Sequence, residues 1–498
     1  MDVNVIILVY LSSLVSGPKK EGVILKKTIL VLIVGLLFVF LIGCSHDNDK
    51  INVEDVSIPS NETESDEETS GKLPPNHSDD KVIRVWSDIG ESTDIFNKFI
   101  EMHPDFDYTI EIIDLLALHF PSDPALYDTL VNDSKLYNFE VPDIYPSEVS
   151  YAAKYTKGEA SQYAIDYKEL GIDVDTLLEE ASIPQYFIDL GTNPEGQLVG
   201  LGYHNTAGAF IYRRSIAKDV WGTDDPLLIQ EKIGPGWEKF FEAAEDLRRK
   251  GYGICSGTDD VWRSVKNEAN QPWIVDDSLY IDPKREEYID IAKKLIESDY
   301  TNNTLQWSDE WYLDMIGEGE KEVFGFLGPA WLINYVLEPN CGGEAIGEGT
   351  YGDWAICDPP VGSFWGGSVV MAHKDTKHKE AVGEIIQWIT LDISESGFQY
   401  LWANGESTGL KEMPLSTTVM RNMDYSSEFL GGQNIFEAYI SAGDLARGDN
   451  ISRDDEIIDE LWRSQVHEYT EGKKSRENAI AEFKLEVTEN EEYRRSTQ

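Results

Sequence analysis

The stretch KVIRVWSDIGESTDIFNKFIEMHPDFDYTIEII, residues 81–113, decides the fold. Val82 to Trp86 is a β-branched and aromatic run that predicts a strand. A polar loop follows, Ser87 to Glu91. Ile95, Phe96, Phe99 and Ile100 then share one face of a predicted helix from about Ser92. His103-Pro104 ends that helix, because the residue before a proline disfavours α geometry. Tyr108 to Ile113 predicts the next strand. Asp123-Pro124 predicts another helix, with proline in its first position, and Val141 to Tyr145 returns to the sheet. This β-α-β-α-β rhythm belongs to an open sheet flanked by helices. The ligand crevice of such a sheet lies outside the carboxyl ends of its strands, here Trp86 to Glu91 and Tyr145 to Glu148.

The rhythm continues downstream. Leu198 to Leu201 and Ala209 to Tyr212 are predicted strands around a Gly-Tyr-His-Asn turn. Trp237 to Arg249 is an amphipathic helix with Trp237, Phe240, Phe241, Ala244 and Leu247 facing inward. Val323 to Leu327 and Ser368 to Ala372 are further strands. A helix from about His378 buries Val382, Ile385, Ile386 and Ile389, and Ile480, Phe483 and Val487 mark a last one. No repeat of solenoid length is present.

Upstream of the fold, Lys26 and Lys27 precede an uncharged apolar run from Thr28 to Ile42 that ends Leu41-Ile42-Gly43-Cys44. A basic stretch, an apolar core and a small residue at the cut are a secretory signal. The run is too short for a spanning helix, which needs about 20 residues. Cys44 after Leu-Ile-Gly resembles the lipobox of bacterial lipoproteins, whose cysteine carries a diacylglyceryl group. The segment 1–43 is thus expected to be the signal, with translation starting near Val23 or Leu25, since Val3 to Val15 precedes the lysines and fits no signal. Residues 44–80 are rich in Asp, Glu, Asn, Ser and Pro, lack the apolar surface to fold, and predict a lipidated acidic tether.

The 498 residues carry a formal charge of −49. Such a surface repels nucleic acid. With 13 tryptophans and 41% hydrophobic residues, the remainder can fill large cores. Cys341 and Cys357 flank a Gly-rich segment, and outside the cell a disulfide between them is chemically allowed; it would add about 3 kcal/mol by chain entropy. Cys255 reads as a small core residue.

The ordered segments IRVW, HPDF, PDIY, GQLVGLGYHNTAGAFIYRRSIA, GWEKFFEAAEDLRRKG, FGFLGPAW and FWGGSVVMAHKDTKHKEAVGEIIQWIT cover the chain from about residue 81. In that order they resemble the extracellular solute-binding proteins, family 1, of carbohydrate ABC importers. The resemblance implies an α/β fold of two lobes joined by a hinge. Lobe 1 would comprise 81–202 and 367–403, and lobe 2 would comprise 203–366 and 404–498, with crossings near Tyr203, Trp365 and Asn404. Two departures, the insertion-like stretches Asp259 to Asn303 and CGG…C, and the Tyr203-His204-Asn205 turn, leave the substrate open.

A sugar offers apolar ring faces that stack on indole or phenol and hydroxyls that need directed polar partners. Asp88 and Glu91 follow the first strand, and Tyr145 and Glu148 close the PDI strand. Tyr203 and His204 stand at the first crossing. Trp262 follows a pair of aspartates. Trp331 follows Gly-Pro-Ala, where the family places an aromatic platform, and Trp365 precedes Gly366, whose missing side chain admits a ligand to the backbone. Each has a structural alternative: core packing for the tryptophans, helix capping for Asp88 and Glu91, hinge structure for His204. No Gly-x-Ser-x-Gly elbow, zinc helix or phosphate loop is found, and no cofactor or metal is expected. The reading is a non-enzymatic, membrane-anchored, extracellular monomer that hands a carbohydrate to a permease pair driven by an ATPase. The alternatives are a surface carbohydrate hydrolase, since 91 acidic residues make carboxylate pairs unavoidable, or a binder of a peptide or polyamine.

Overall fold

A computed structural model describes residues 81–87, 90–115, 126, 127, 129, 130, 140–276 and 278–490. The signal, Cys44, the acidic tether, Asp88, Asp123 and Pro124 lie outside the described residues. The strands are β1 (Val82–Ser87), β2 (Thr109–Asp114), β3 (Ile144–Glu148), β4 (Gly200–Leu201), β5 (Ala209–Arg213), the hairpin pair β6 (Ile274–Val275) and β7 (Ser278–Leu279), β8 (Gly325–Gly328), β9 (Trp354–Cys357), β10 (Ser368–Ala372) and a second short pair, β11 (Ser426–Ser427) and β12 (Gln433–Asn434).

Two sheets organise the chain. The first runs β2-β1-β3-β10-β4. β1 pairs in parallel with β2 and β3, and β10 runs antiparallel to β3 with Ser368 opposite Glu148. Ile83 and Val85 on one face of β1 and Val82 and Trp86 on the other are buried, as expected for a strand covered on both faces. The second sheet, β8-β5-β9, is antiparallel. Its strands alternate between two cores: Ile211, Phe326, Trp354 and Ile356 face one, and Phe210, Tyr212, Ala355 and Cys357 face the other. The first of these cores is continuous with the residues packed around the five-stranded sheet.

That alternation corrects the disulfide expectation. Cys341 packs in one core and Cys357 in the other, so β9 separates them. Both are buried free thiols, and the Cys341 Sγ lies 3.2 Å from the Gly343 carbonyl oxygen. Cys255 is likewise buried and free.

The helices used below are α1 (Ser92–Met102), α2 (Val149–Thr156), α3 (Trp237–Lys250), α4 (Asp259–Asn267), α5 (Lys379–Thr390), α6 (Asp455–Thr470) and α7 (Arg476–Glu489). α3 has Glu238 in its first turn, three basic residues in its last and a left-handed Gly251 at its end, which satisfies its dipole and its final carbonyls. α4 ends against Asn450. The Asn450 Nδ2 donates to the carbonyls of Asn267 (3.1 Å) and Ala269 (2.7 Å), and its own carbonyl accepts from Arg285 (3.0 Å). Asn450 is 2% exposed, so water cannot replace it there. Asn450→Ala is expected to cost about 2–3 kcal/mol and to loosen α4, checked by urea denaturation. An unchanged midpoint would refute this role.

Candidate functional site

Three segments run side by side where the sheets meet. His204 bridges to Pro414, and Ala207 bridges to Phe364. Asn205 N–H donates to Met413 O, Leu415 N–H to Tyr203 O, and Gly208 N–H to Ser363 O. The third strand of this junction is thus residues 413–415, beyond the helix Phe398–Asn404.

Gly366 and Gly367 enter β10 from this junction with φ of +69° and +105°. A side chain at either would strain the backbone, and a Cβ on Gly367 would lie 3.0 Å from Thr206 and 3.2 Å from His204 Nε2. The position a Cβ would take on Gly366 is 3.6 Å from Trp331 Nε1 and 3.7 Å from Glu148 Oε1. Glu148 caps α2: its Oε2 accepts from the backbone N–H of Ser150 at 2.9 Å and from the Ser150 hydroxyl. Its Oε1 is left on the Gly366 side. Burial pushes the Glu148 carboxyl up to about 7, and Glu456 pushes the same way, against Ser150 and Lys266.

Opposite stands a cluster of indoles. Trp331 is the middle residue of a short helix, Ala330–Leu332, that widens into a π turn, Ile333–Leu337, a distortion frequent at functional sites. Its Nε1 donates to the Trp365 carbonyl at 2.8 Å. The Trp331 and Trp365 rings meet edge to face, with centroids 4.7 Å apart. Trp307 is near-parallel to Trp331 (3°, 6.5 Å) and edge-on to Trp365 (5.6 Å). All three are half-buried. Arg263, on α4, lays its guanidinium 3.4 Å from the centre of the Trp365 ring, and its Nη1 donates to Gln306 at 3.0 Å. Burial lowers the Arg263 guanidinium to about 10, so it stays charged at neutral pH.

A second polar group borders the junction. Tyr203 donates to Glu91 Oε1 at 2.7 Å, and Tyr335, one helical turn beyond Trp331, donates to Glu412. Asn334 Nδ2 donates to the Lys411 carbonyl at 3.2 Å. His204 Nε2 accepts the Ser368 N–H at 2.9 Å, which fixes its proton on Nδ1. Burial lowers His204 to about 4, so it remains a neutral acceptor.

Glu412 is 3% exposed, and burial pushes its carboxyl up from 4.5 to about 7. The folded state therefore holds a proton that the unfolded chain releases above pH 4.5. This stabilisation is full below about pH 4.5 and is lost as pH rises through 7. Glu412→Gln is expected to flatten that loss and to raise stability at pH 8 by about 1–3 kcal/mol. Urea midpoints at pH 5 and pH 8 check this. An equal pH slope in variant and wild type would contradict it.

The structure brings Glu148, Trp331, Trp365 and Gly366 together and sets Glu91, Tyr203 and His204 at the junction. It buries three expected residues: Tyr203, 1% exposed, spends its hydroxyl on Glu91, and two more leave that surface. Tyr145 is fully buried in the first core, against Tyr155, because its position on β3 faces inward. Trp262 is 2% exposed and packs on Tyr288 in the second core, because the amphipathic α4 turns it away from Arg263. Trp273 is also core, donating to Asp459 at 2.7 Å. Trp307, Arg263, Tyr335 and Glu412 were not legible as site residues. Among the described residues no group of His, Cys, Asp or Glu is placed to hold a metal ion, and no helix is long and apolar enough to cross a membrane.

The family model for bacterial extracellular solute-binding proteins matches residues 122–393, more than half of the 498-residue chain. An extracellular solute-binding protein of family 1 has a similar crystal structure, with a TM-score of 0.66 at 16% identity, over 84% of this chain and 100% of that one. The sugar-binding protein MalE from the phytopathogen Xanthomonas citri gives 0.60 at 13% identity, over 83% and 98%. The galacto-N-biose-/lacto-N-biose I-binding protein of the Bifidobacterium longum ABC transporter, in complex with lacto-N-biose, gives 0.56 at 18%, over 82% and 96%. At these identities the likeness is one of fold, the two-lobed periplasmic-binding-protein type. No curated protein matches the sequence. With the family model matching more than half of the chain, from β3 through the helix that follows β10, the chain belongs to the bacterial extracellular solute-binding proteins.

Proposed function

We propose that this protein captures a carbohydrate in the surface formed by Trp331, Trp365, Glu148 and Gly366, and delivers it to an ABC permease. The observation that carries the reading is the half-buried indole cluster beside an acceptor carboxyl and a bare glycine backbone. Indoles take the C–H face of a sugar, while Glu148 Oε1 and the Gly366 backbone take hydroxyls. The solved relatives described with lacto-N-biose and as a sugar-binding MalE support the same class. Glu91 and His204 complete the site at the hinge, with Tyr203 holding Glu91 in place, and Asp88, three residues before Glu91 in the sequence, is proposed as a further contact.

In this reading residues 81–202 with 367–403 are lobe 1 and 203–366 with 404–498 are lobe 2, and the backbone pairing of 413–415 with 203–205 supports a third crossing a few residues beyond Asn404. The lobes close on the ligand about these crossings. The chain works as a monomer without catalysis, anchored by lipid on Cys44 at the outer face of the cell membrane.

A thermal-shift screen against oligosaccharides tests the reading. A rise in melting temperature with the sugar recovered intact supports it. Recovery of cleaved sugar would favour a hydrolase, and stabilisation by polyamines or peptides alone would favour a different solute.

A further inference from the structure

The segment between the helices Pro283–Glu297 and Asp309–Ile316 contains three residues with positive φ: Asp299 (60°), Asn303 (57°) and Trp307 (72°). Asp and Asn tolerate the left-handed region because their short side chains bond locally. A tryptophan does not, and holding a bulky residue there costs about 1–3 kcal/mol. Trp307 packs at the edge of the first core rather than within it. Trp311 already closes the core beneath, at 1% exposure with its Nε1 3.3 Å from Asp260 Oδ1. Trp307 lies on top of Trp311, with centroids 5.1 Å apart, and remains half-buried. Its strained backbone turns the ring to within 3° of Trp331. Trp365, in contrast, has one face covered by Arg263 and is met edge-on by the other two. The near-parallel pair in the cluster is therefore Trp307 and Trp331.

We propose that Trp307 is a ligand-contacting residue, a second indole platform that acts with Trp331 on an uncharged sugar presenting apolar ring faces. This rests on the carbohydrate reading above. The Glu148 carboxyl beside Trp331 supplies an acceptor for a ring hydroxyl. Left-handed strain at Trp307 is retained because the aligned indole contributes to binding rather than to folding.

The test uses the full extracellular chain and four probes, lacto-N-biose, β-1,6-galactobiose, maltotriose and cellotriose, with wild type, Trp307→Ala, Trp307→Gly and Trp307→Phe, by calorimetric titration and urea denaturation. The wild type is expected to bind at least one probe. The Ala and Gly variants are expected to lose roughly tenfold or more in affinity, and the Phe variant to lose less. Glycine relieves the strain that alanine keeps, so the Gly variant is expected to unfold at a higher urea concentration than the Ala variant. If wild type binds and the Ala and Gly variants bind equally well, this proposal falls and the carbohydrate reading stands. If wild type binds none of the four, both fall. If the Ala variant does not fold, the Phe and Gly variants decide by the same criterion.

Discussion

Replacing Trp331 with alanine is expected to weaken carbohydrate binding by roughly a hundredfold while the chain keeps its fold. The Trp331 indole is half-buried at the centre of the cluster, and its Nε1 holds the Trp365 carbonyl at 2.8 Å. Truncation removes a stacking face and leaves that carbonyl without its donor, directly before the two glycines that lead into β10. A central aromatic anchor of this kind typically accounts for 2 kcal/mol or more, about 30-fold, and the misplaced Trp365 and Gly366 add to the loss. Far less should happen to stability, because Trp331 sits at the edge of the core rather than within it. Trp331→Phe keeps a ring without the donor and should fall between. Calorimetric titration of the three forms with a sugar that binds wild type checks this. An alanine variant within threefold of wild type would remove Trp331 from the site.

The second large effect concerns address. If Cys44 carries the diacylglyceryl group proposed above, Cys44→Ala is expected to move the protein from the membrane fraction to the medium, because the two acyl chains of that group would provide the anchor. A single chain holds only marginally, at about 0.8 kcal/mol per buried methylene, so stable anchoring needs both. The apolar run from Thr28 to Ile42 is too short to substitute as a spanning helix. Fractionation of cells expressing either form, with metabolic palmitate labelling, reads the result. A membrane-bound, unlabelled Cys44→Ala chain would mean an uncleaved helix holds it. The acidic tether behind Cys44 would keep the solute-binding unit near its permease, where effective concentration rather than diffusion sets the encounter rate.

Local periodicity carried most of the fold. The strand at Val82, the helix at Ser92, the helix at Trp237 and the strand at Ser368 follow from patterns of 2 and 3.6 residues that the structure reproduces. The site divides differently. Trp331 and Gly366 each follow or form a glycine- or proline-marked turn, which a sequence displays. Trp307 is marked by nothing local. Its role depends on a left-handed φ and on partners 24 and 58 residues away, Trp331 and Trp365. Arg263 was overlooked for its neighbour Trp262, since helical phase alone does not say which face of α4 meets the core. The disulfide failed for a related reason: Cys341 and Cys357 are close in sequence and apart in space, because β9 presents Cys357 to the second core. Glu412 gave no signal either, as its neighbours Tyr335 and Glu91 are brought to it by the fold alone.

The central claim is that the indole cluster and Glu148 form a carbohydrate site that binds without reaction. Isothermal titration of the wild-type chain with a set of neutral oligosaccharides, followed by chromatographic recovery of the ligand, tests it most directly. The predicted result is saturable binding of one sugar per chain, a negative heat-capacity change from burial against the indoles, and ligand recovered intact. Absence of binding to every sugar, or recovery of shortened products, would contradict the account.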